Sequence, residues 1–141
     1  MSLITELFAA TFLIILVTVI HGTGIVFMDR LFHHEARELR ELKLAKREFA
    51  VMVPMALCLF ALHCVEITVF ASFYLVAGEA QTIRDALYHS ALAYTTMGVV
   101  EESVNRWPMV TALEGLAGFL MIGWSAAVFV TDMDKVLRGR D

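Results

Sequence analysis

The sequence predicts an all-α integral membrane fold: three transmembrane helices, with one short segment that re-enters the membrane between the second and the third. Three observations carry this expectation. Hydrophobic residues make up 59% of the chain and charged residues 18%, where soluble domains hold about 45–50% and about 25%. The apolar residues fall into three runs, each long enough for the about 20 residues that a spanning helix needs. Between the last two runs lies a stretch too short and too polar to cross alone. A mean hydropathy of +0.71 agrees with this class and argues against a soluble core.

The first span is expected over residues 7–27. The N-terminal Met1-Ser2-Leu3-Ile4-Thr5-Glu6 has no basic residue and no small-residue cleavage site. The first run is therefore expected to stay in the mature protein rather than leave as a signal peptide. Within it, His21-Gly22-Thr23-Gly24 is read as a packing site, because small residues let helices approach closely. The linker over residues 28–48 is a helix candidate. Leu31, Leu39, Leu42 and Phe49 fall near one stripe, Glu35, Glu38 and Glu41 on a second, and Arg37, Arg40 and Lys43 on a third. Arg37 and Glu41 stand one turn apart and can pair. The basic stripe is either a solvated face or a contact for anionic lipid headgroups or a neighbouring subunit.

The second span is expected over residues 49–77, long enough to tilt, and the third over residues 109–131. Between them, residues 83–100 contain Arg84, Asp85, His89, Ser90, Thr95 and Thr96. A re-entrant helix and loop fits, since non-helical backbone at membrane depth is tolerated only where protein or water surrounds it. The alternative is a helix lying on the membrane surface. Trp107-Pro108 marks the interface before the third span.

Charge sets the expected orientation. Of the eleven lysines and arginines, only Arg84 and Arg106 lie between the second and third spans. The rest sit in the 28–48 linker or after Thr131. By the positive-inside rule, the linker and C-terminus face the cytoplasm and the N-terminus lies outside. The expected location is the plasma membrane, or the inner membrane of a bacterium.

The stretch Tyr94-Thr95-Thr96-Met97-Gly98-Val99-Val100-Glu101-Glu102 carries a resemblance. It is similar to the pore signature of the potassium-channel superfamily, in which a short helix ends in Thr-Thr-x-Gly-Tyr-Gly-Asp. Asp85 to Thr96 resembles that family's pore helix, with an aromatic residue and a serine before the paired threonines. Gly115 to Trp124 resembles its inner helix. The resemblance covers roughly residues 83–130. Together with the hydropathy and charge patterns it divides the chain into a first helix with a cytoplasmic linker (1–48), a pore module (49–131) and a short cytoplasmic tail (132–141), the layout of small prokaryotic members with three spans and one pore loop. It also implies a homotetramer, because one loop per chain cannot close a pore, and passive conduction of K+, with Na+ as a second permeant ion, without a bound cofactor or an enzymatic step.

In that reading Thr95, Thr96, Met97, Gly98, Val99 and Val100 form the ion-conduction filter, whose backbone carbonyls replace the ion's water. Gly98 supplies one backbone position with positive φ. Val100 occupies another, and a β-branched residue resists it. Val99 stands where the family has a bracing tyrosine. The expectation is a weakly selective cation channel, or a non-conducting scaffold derived from one. Glu101 and Glu102 form an acidic ring at the outer mouth that concentrates cations, or else a solvated turn. Gly118 and Gly123 permit a bend or close packing in the inner helix.

Ionisable groups inside spans usually face protein or water. His21, His63, Glu66 and Glu114 are four such groups. His63 and Glu66, three apart on one face, and Glu114 are expected in the outer half of the membrane, at the depth of the re-entrant helix. There they either brace that helix or couple pH to the filter. A third reading, a membrane redox subunit, would use His21 and His63 as haem ligands. Cys58 and Cys64 point to different faces of one helix, cannot pair with each other, and are expected to be small buried apolar residues. No metal-ligand spacing is present.

The orientation is tested by reporter fusions. Fusions in the 28–48 linker and after residue 132 should report the cytoplasm, and fusions near residue 103 the opposite side. A linker found outside would overturn the charge argument.

Overall fold

A computed structural model describes residues 2–38, 44–98 and 106–138. Among them are four helices and no strands: α1 (Leu3–Glu38), α2 (Leu44–Val76), α3 (Ile83–Tyr94) and α4 (Pro108–Arg138). Three are long and apolar enough to cross a membrane, over Leu3–Phe32, Phe49–Val76 and Pro108–Lys135. The first and third are longer than the expected spans, and the second matches its expected range to within one residue. Val99, Val100, Glu101, Glu102, Arg40, Lys43 and the Arg37 side chain lie outside the described residues.

The ends of the helices follow local chemistry. Pro108 opens α4, where its missing N–H costs no hydrogen bond. Glu6 of α1 reaches that same helix start, its Oε2 accepting from the Met109 N–H at 3.0 Å. The apolar run of α2 continues through Pro54, and the helix stops at Gly78, whose φ of 71° suits glycine. There the Glu79 N–H donates to the Tyr74 carbonyl and the Gly78 N–H to Leu75, a Schellman cap. Thr82 caps the start of α3 by accepting from the Asp85 N–H at 3.2 Å, and its hydroxyl donates to the Asp85 carboxylate at 2.7 Å.

The end of α3 repeats the Schellman pattern with a different residue. The Met97 N–H donates to the Leu92 carbonyl and the Thr96 N–H to Ala93. The left-handed position falls on Thr96, with φ of 60°. A β-branched residue there costs about 1–2 kcal/mol relative to its ordinary backbone. Gly98 follows with φ of 88°.

α1 buries one narrow stripe: Glu6, Ala10, Leu13, Val17, His21, Ile25, Met28 and Phe32. The spacing of three and four is that of a helix seam. Its outward residues, among them Phe8, Phe12, Val19 and Phe27, are exposed and apolar. The stripe divides the core. Ala10, Leu13 and Val17 pack with Phe70, Tyr74 and Val110. Ile25, Met28 and Phe32 pack with Val51, Met55, Leu59 and Met133. α1 and α2 therefore run antiparallel, and His21 lies between the two apolar clusters.

α3 packs against both α2 and α4, burying Ala86, Ser90, Ala93 and Tyr94. Its contact with α4 is close enough to demand glycine. A Cβ on Gly118 would run into the Tyr94 carbonyl, and one on Gly115 would sit 3.1 Å from the Ala93 carbonyl. Gly123 has open space around it. The two glycines singled out in the inner helix thus differ: Gly118 is a contact with α3, and Gly123 is not.

Gly118→Ala should destabilise the protein by about 1–3 kcal/mol, the range for overpacking a close contact. Gly123→Ala should be neutral or slightly stabilising, since alanine favours helix by about 1 kcal/mol. Thermal unfolding of the detergent-purified protein reads the difference. Equal effects would argue against the packing of α4 on the end of α3.

Candidate functional site

Among the described residues, most of the polar side chains buried in the bundle form two groups, each centred on one carboxylate and each reaching α3. Glu66 of α2, fully buried, is the centre of the first. His21 of α1 places Nδ1 2.7 Å from Glu66 Oε1. His63, one helical turn before Glu66, places Nδ1 3.3 Å from Oε2. The Tyr94 hydroxyl, from the last residue of α3, donates to Oε2. It also lies 2.9 Å from His63 Nδ1. On the far side of His21, Nε2 is 3.4 Å from the Ser125 hydroxyl of α4, and the Trp124 ring sits 5.1 Å from the imidazole. All four helices meet at this point.

The second group surrounds Glu114 of α4, also fully buried. Tyr74 of α2 donates to its Oε2 at 2.6 Å, and Ser90 of α3 to its Oε1 at 2.5 Å. Ser90 also lies 2.9 Å from the Ile67 carbonyl. Thr111 is 3.2 Å from the Tyr74 hydroxyl and 3.4 Å from His89 Nε2. The Tyr74 and His89 rings meet edge to face at 4.5 Å.

α3 is thus pinned twice. One hydroxyl of α3, from Ser90, goes to a carboxylate on α4. The other, from Tyr94, goes to a carboxylate on α2. Ser90 and Tyr94 are four residues apart and share the buried face. Carboxylates in an apolar interior are tolerated when hydrogen bonds satisfy them, and both oxygens of each are engaged here. The electrostatics of the Glu66 group are those of an acid between two imidazoles, with no lysine or arginine paired to it among the described residues.

The sequence-predicted site residues fall in three places. His63 and Glu66 join one group, while Glu114 belongs to the other, so the three do not act as one cluster. His63 and Glu66 lie just past the midpoint of the Phe49–Val76 span, in its second half. Thr95, Thr96, Met97 and Gly98 follow α3 directly and are exposed on the single chain, Met97 at 79%. The Thr95 hydroxyl donates back to the Ala91 carbonyl at 2.6 Å, closing its own helix. Glu101 and Glu102 lie outside the described residues. The His21-Gly22-Thr23-Gly24 motif does meet neighbouring helices, with Gly24 against Leu62 and Gly22 near Trp124. Its histidine, however, is a partner of Glu66.

Sequence reasoning missed the roles of His21, Tyr94, Tyr74, Ser90, Ser125 and Glu6. A signal existed for some of them. His21 and Glu6 are the polar members of an otherwise apolar stripe in α1. Ser90 and Tyr94 are four apart on a short helix beside spans that carry buried acids. Nothing in the linear sequence marks Tyr74 or Ser125.

Compared with known proteins, the chain matches no family model, and no curated protein or solved structure is significantly similar to it.

Tyr94→Phe removes the phenol from Glu66 and from His63 while keeping the ring. It should destabilise the protein by about 1–3 kcal/mol, the cost of leaving a buried polar group unsatisfied. Tyr88→Phe, on the exposed face of the same helix, should change stability by less than about 0.5 kcal/mol. Detergent-solubilised unfolding curves for the two variants check this.

Proposed function

We propose that the chain is one quarter of a tetrameric, potassium-channel-like cation channel in the plasma membrane, with α3 as a re-entrant pore helix and the segment after it as a degenerate filter. The observation that carries the reading is the position and exposure of Thr95, Thr96, Met97 and Gly98. α3 has 12 residues, a length of about 18 Å, little more than half the about 30 Å of a bilayer core. It begins soon after α2 ends and finishes at Tyr94, beside the middle of α2. Beyond it the backbone leaves helical geometry and is uncovered on the single chain. Such backbone cannot face lipid; it must be enclosed by protein or by a water-filled path. Copies of the chain arranged around an axis supply both.

Backbone geometry points the same way. Positive φ at Thr96 and at Gly98, two residues apart, turns the chain so that carbonyl oxygens can be presented along one line, as ion coordination requires. The same alternation falls next on Val100. Valine resists that angle, and Val99 offers no hydroxyl to brace the segment. The outer part of the carbonyl ladder is therefore incomplete, while Thr96 and Gly98 provide a shorter site. Glu101 and Glu102 add an acidic ring that draws cations to the mouth, and α4 lines the inner path. The Glu66 and Glu114 groups act from behind as braces, each holding one end of the buried face of α3.

A non-conducting scaffold with the same assembly is the second reading, favoured by the valines at the filter. The haem reading gains nothing from the geometry. The His21 and His63 rings lie 5.5 Å apart, and both direct Nδ1 to Glu66 rather than to a common opening.

The test is flux of K+, Na+ and Ca2+ through purified protein in liposomes. The native protein should pass monovalent cations with weak discrimination between K+ and Na+. Restoring the family pattern with the double change Val99→Tyr and Val100→Gly should raise the K+ preference by about tenfold, equivalent to about 1.4 kcal/mol. Strong rejection of Na+ by the native protein would overturn the steric argument at Val100. An assembled tetramer that conducts nothing, before or after the restoration, would favour the scaffold.

A further inference from the structure

We infer that His21, His63 and Glu66, completed by the Tyr94 phenol, form a binding site for a divalent transition-metal ion, with zinc the best fit. The three acid and imidazole donors lie within 4.8 Å of one another. Three of the four helices contribute: α1 gives His21, α2 gives His63 and Glu66, and α3 gives Tyr94.

The donor chemistry selects the ion. Two imidazole nitrogens and two oxygens form a borderline set that suits zinc in tetrahedral coordination. Bonds of about 2.0–2.1 Å separate tetrahedral ligands by about 3.3 Å. The contacts present are 2.7 Å for His21 to Glu66, 3.3 Å for His63 to Glu66 and 2.9 Å for His63 to Tyr94. Side-chain movements on the order of 1 Å would bring the donors, now within 4.8 Å of one another, to that spacing. Harder ions such as magnesium and calcium prefer six or more oxygens, which these side chains do not supply.

Charge argues for a cation as well. With neutral imidazoles the group carries one negative charge inside an apolar bundle, and such a charge is costly unless compensated. A divalent ion bound by the Glu66 carboxylate and by Tyr94 as phenolate makes the set neutral, with the phenol proton released to water. Metal-bound oxygen acids deprotonate readily for this reason. The remaining nitrogen of His21 also has a fitting partner. With Nδ1 on the ion, Nε2–H faces the Ser125 hydroxyl at 3.4 Å, the kind of outer hydrogen bond that orients a ligating histidine. Of the four donors His63 has the most exposed side chain, 17% on the single chain. The ion would hold Tyr94, and with it the start of the segment from Thr95 to Gly98. The site stands whether or not the assembly conducts.

The test uses the full chain in detergent, stripped with a chelator, reloaded with Zn2+ or Co2+ alone and freed of excess by gel filtration. One metal per chain is expected. The Co2+ form should show the intense visible bands of tetrahedral cobalt without thiolate charge transfer, and Zn2+ should raise the unfolding temperature. Glu66→Gln keeps the shape and should lose both the metal and the thermal shift, and His21→Gln and His63→Gln should each weaken binding at least tenfold. Cys64→Ser, next in sequence to His63 but exposed, should bind as the native chain does. Should a histidine variant fail to fold, the native cobalt spectrum and the Glu66→Gln comparison decide alone. Zinc content in the native protein no higher than in Glu66→Gln, or a cobalt spectrum of octahedral type, would overturn the assignment and leave the cluster as a proton-bearing brace.

Discussion

A carboxylate with no exposed surface has to find its partners within the protein, and Glu66 finds them on every other helix or through them. His63 comes from its own helix, His21 from α1, and Tyr94 from α3, while Ser125 of α4 backs His21. Removing any partner leaves a polar group in an apolar interior, where the penalty exceeds what the pair contributes. The requirement fixes more than one contact. It sets the rotation of α1 about its axis, since His21 must face inward, and it sets the depth at which α3 ends.

The second carboxylate, Glu114, makes the placement of α3 rigid rather than merely anchored. One tie would leave a 12-residue helix free to pivot. Ser90 on Glu114 and Tyr94 on Glu66 hold two successive turns from opposite sides. The glycine contacts at Gly115 and Gly118 then bring α4 against the backbone of α3's last turn. Dispersion and hydrogen bonding thus converge on the same few residues, and the strained Thr96 follows immediately. A left-handed threonine persists only where its surroundings over-determine it, and those surroundings are the two ties and the glycine contact.

Much of the architecture was legible in the sequence because it depends on composition over long windows. Three apolar runs gave three long helices, and the polar insert gave a short helix beginning at the expected Ile83. The ends were less legible. α1 extends through Glu38 because charged residues such as Glu35 and Glu38 are good helix formers, so the end of an apolar run does not end a helix. The stop of α3 was hidden because threonine, not glycine, takes the left-handed cap. The site was only half visible. His63 and Glu66 share one turn and could be paired by spacing. His21 lies 45 residues from Glu66; with α1 apolar on all sides, Glu6 and His21 were the marks of its inward face, and neither names its partner. Glu114 looked like a neighbour of Glu66 because both are buried acids beside α3, but residues 90 and 94 direct them to different turns.

The polar ties of α1 have a consequence for how the molecule is made. Glu6 meets the backbone of Met109, His21 meets Glu66 and Ser125, and every one of those partners is synthesised after α1 itself. α2 carries a partner for Glu66 one turn away; among the described residues α1 carries none for His21. During translation the first helix therefore enters the bilayer with its inward stripe unmatched, meets Glu66 and the apolar face of α2 next, and is fully secured when the last helix arrives. Truncations that stop before α4 should leave the N-terminal helix loosely held, so quality control would read the integrity of the C-terminal half through the behaviour of the N-terminal one.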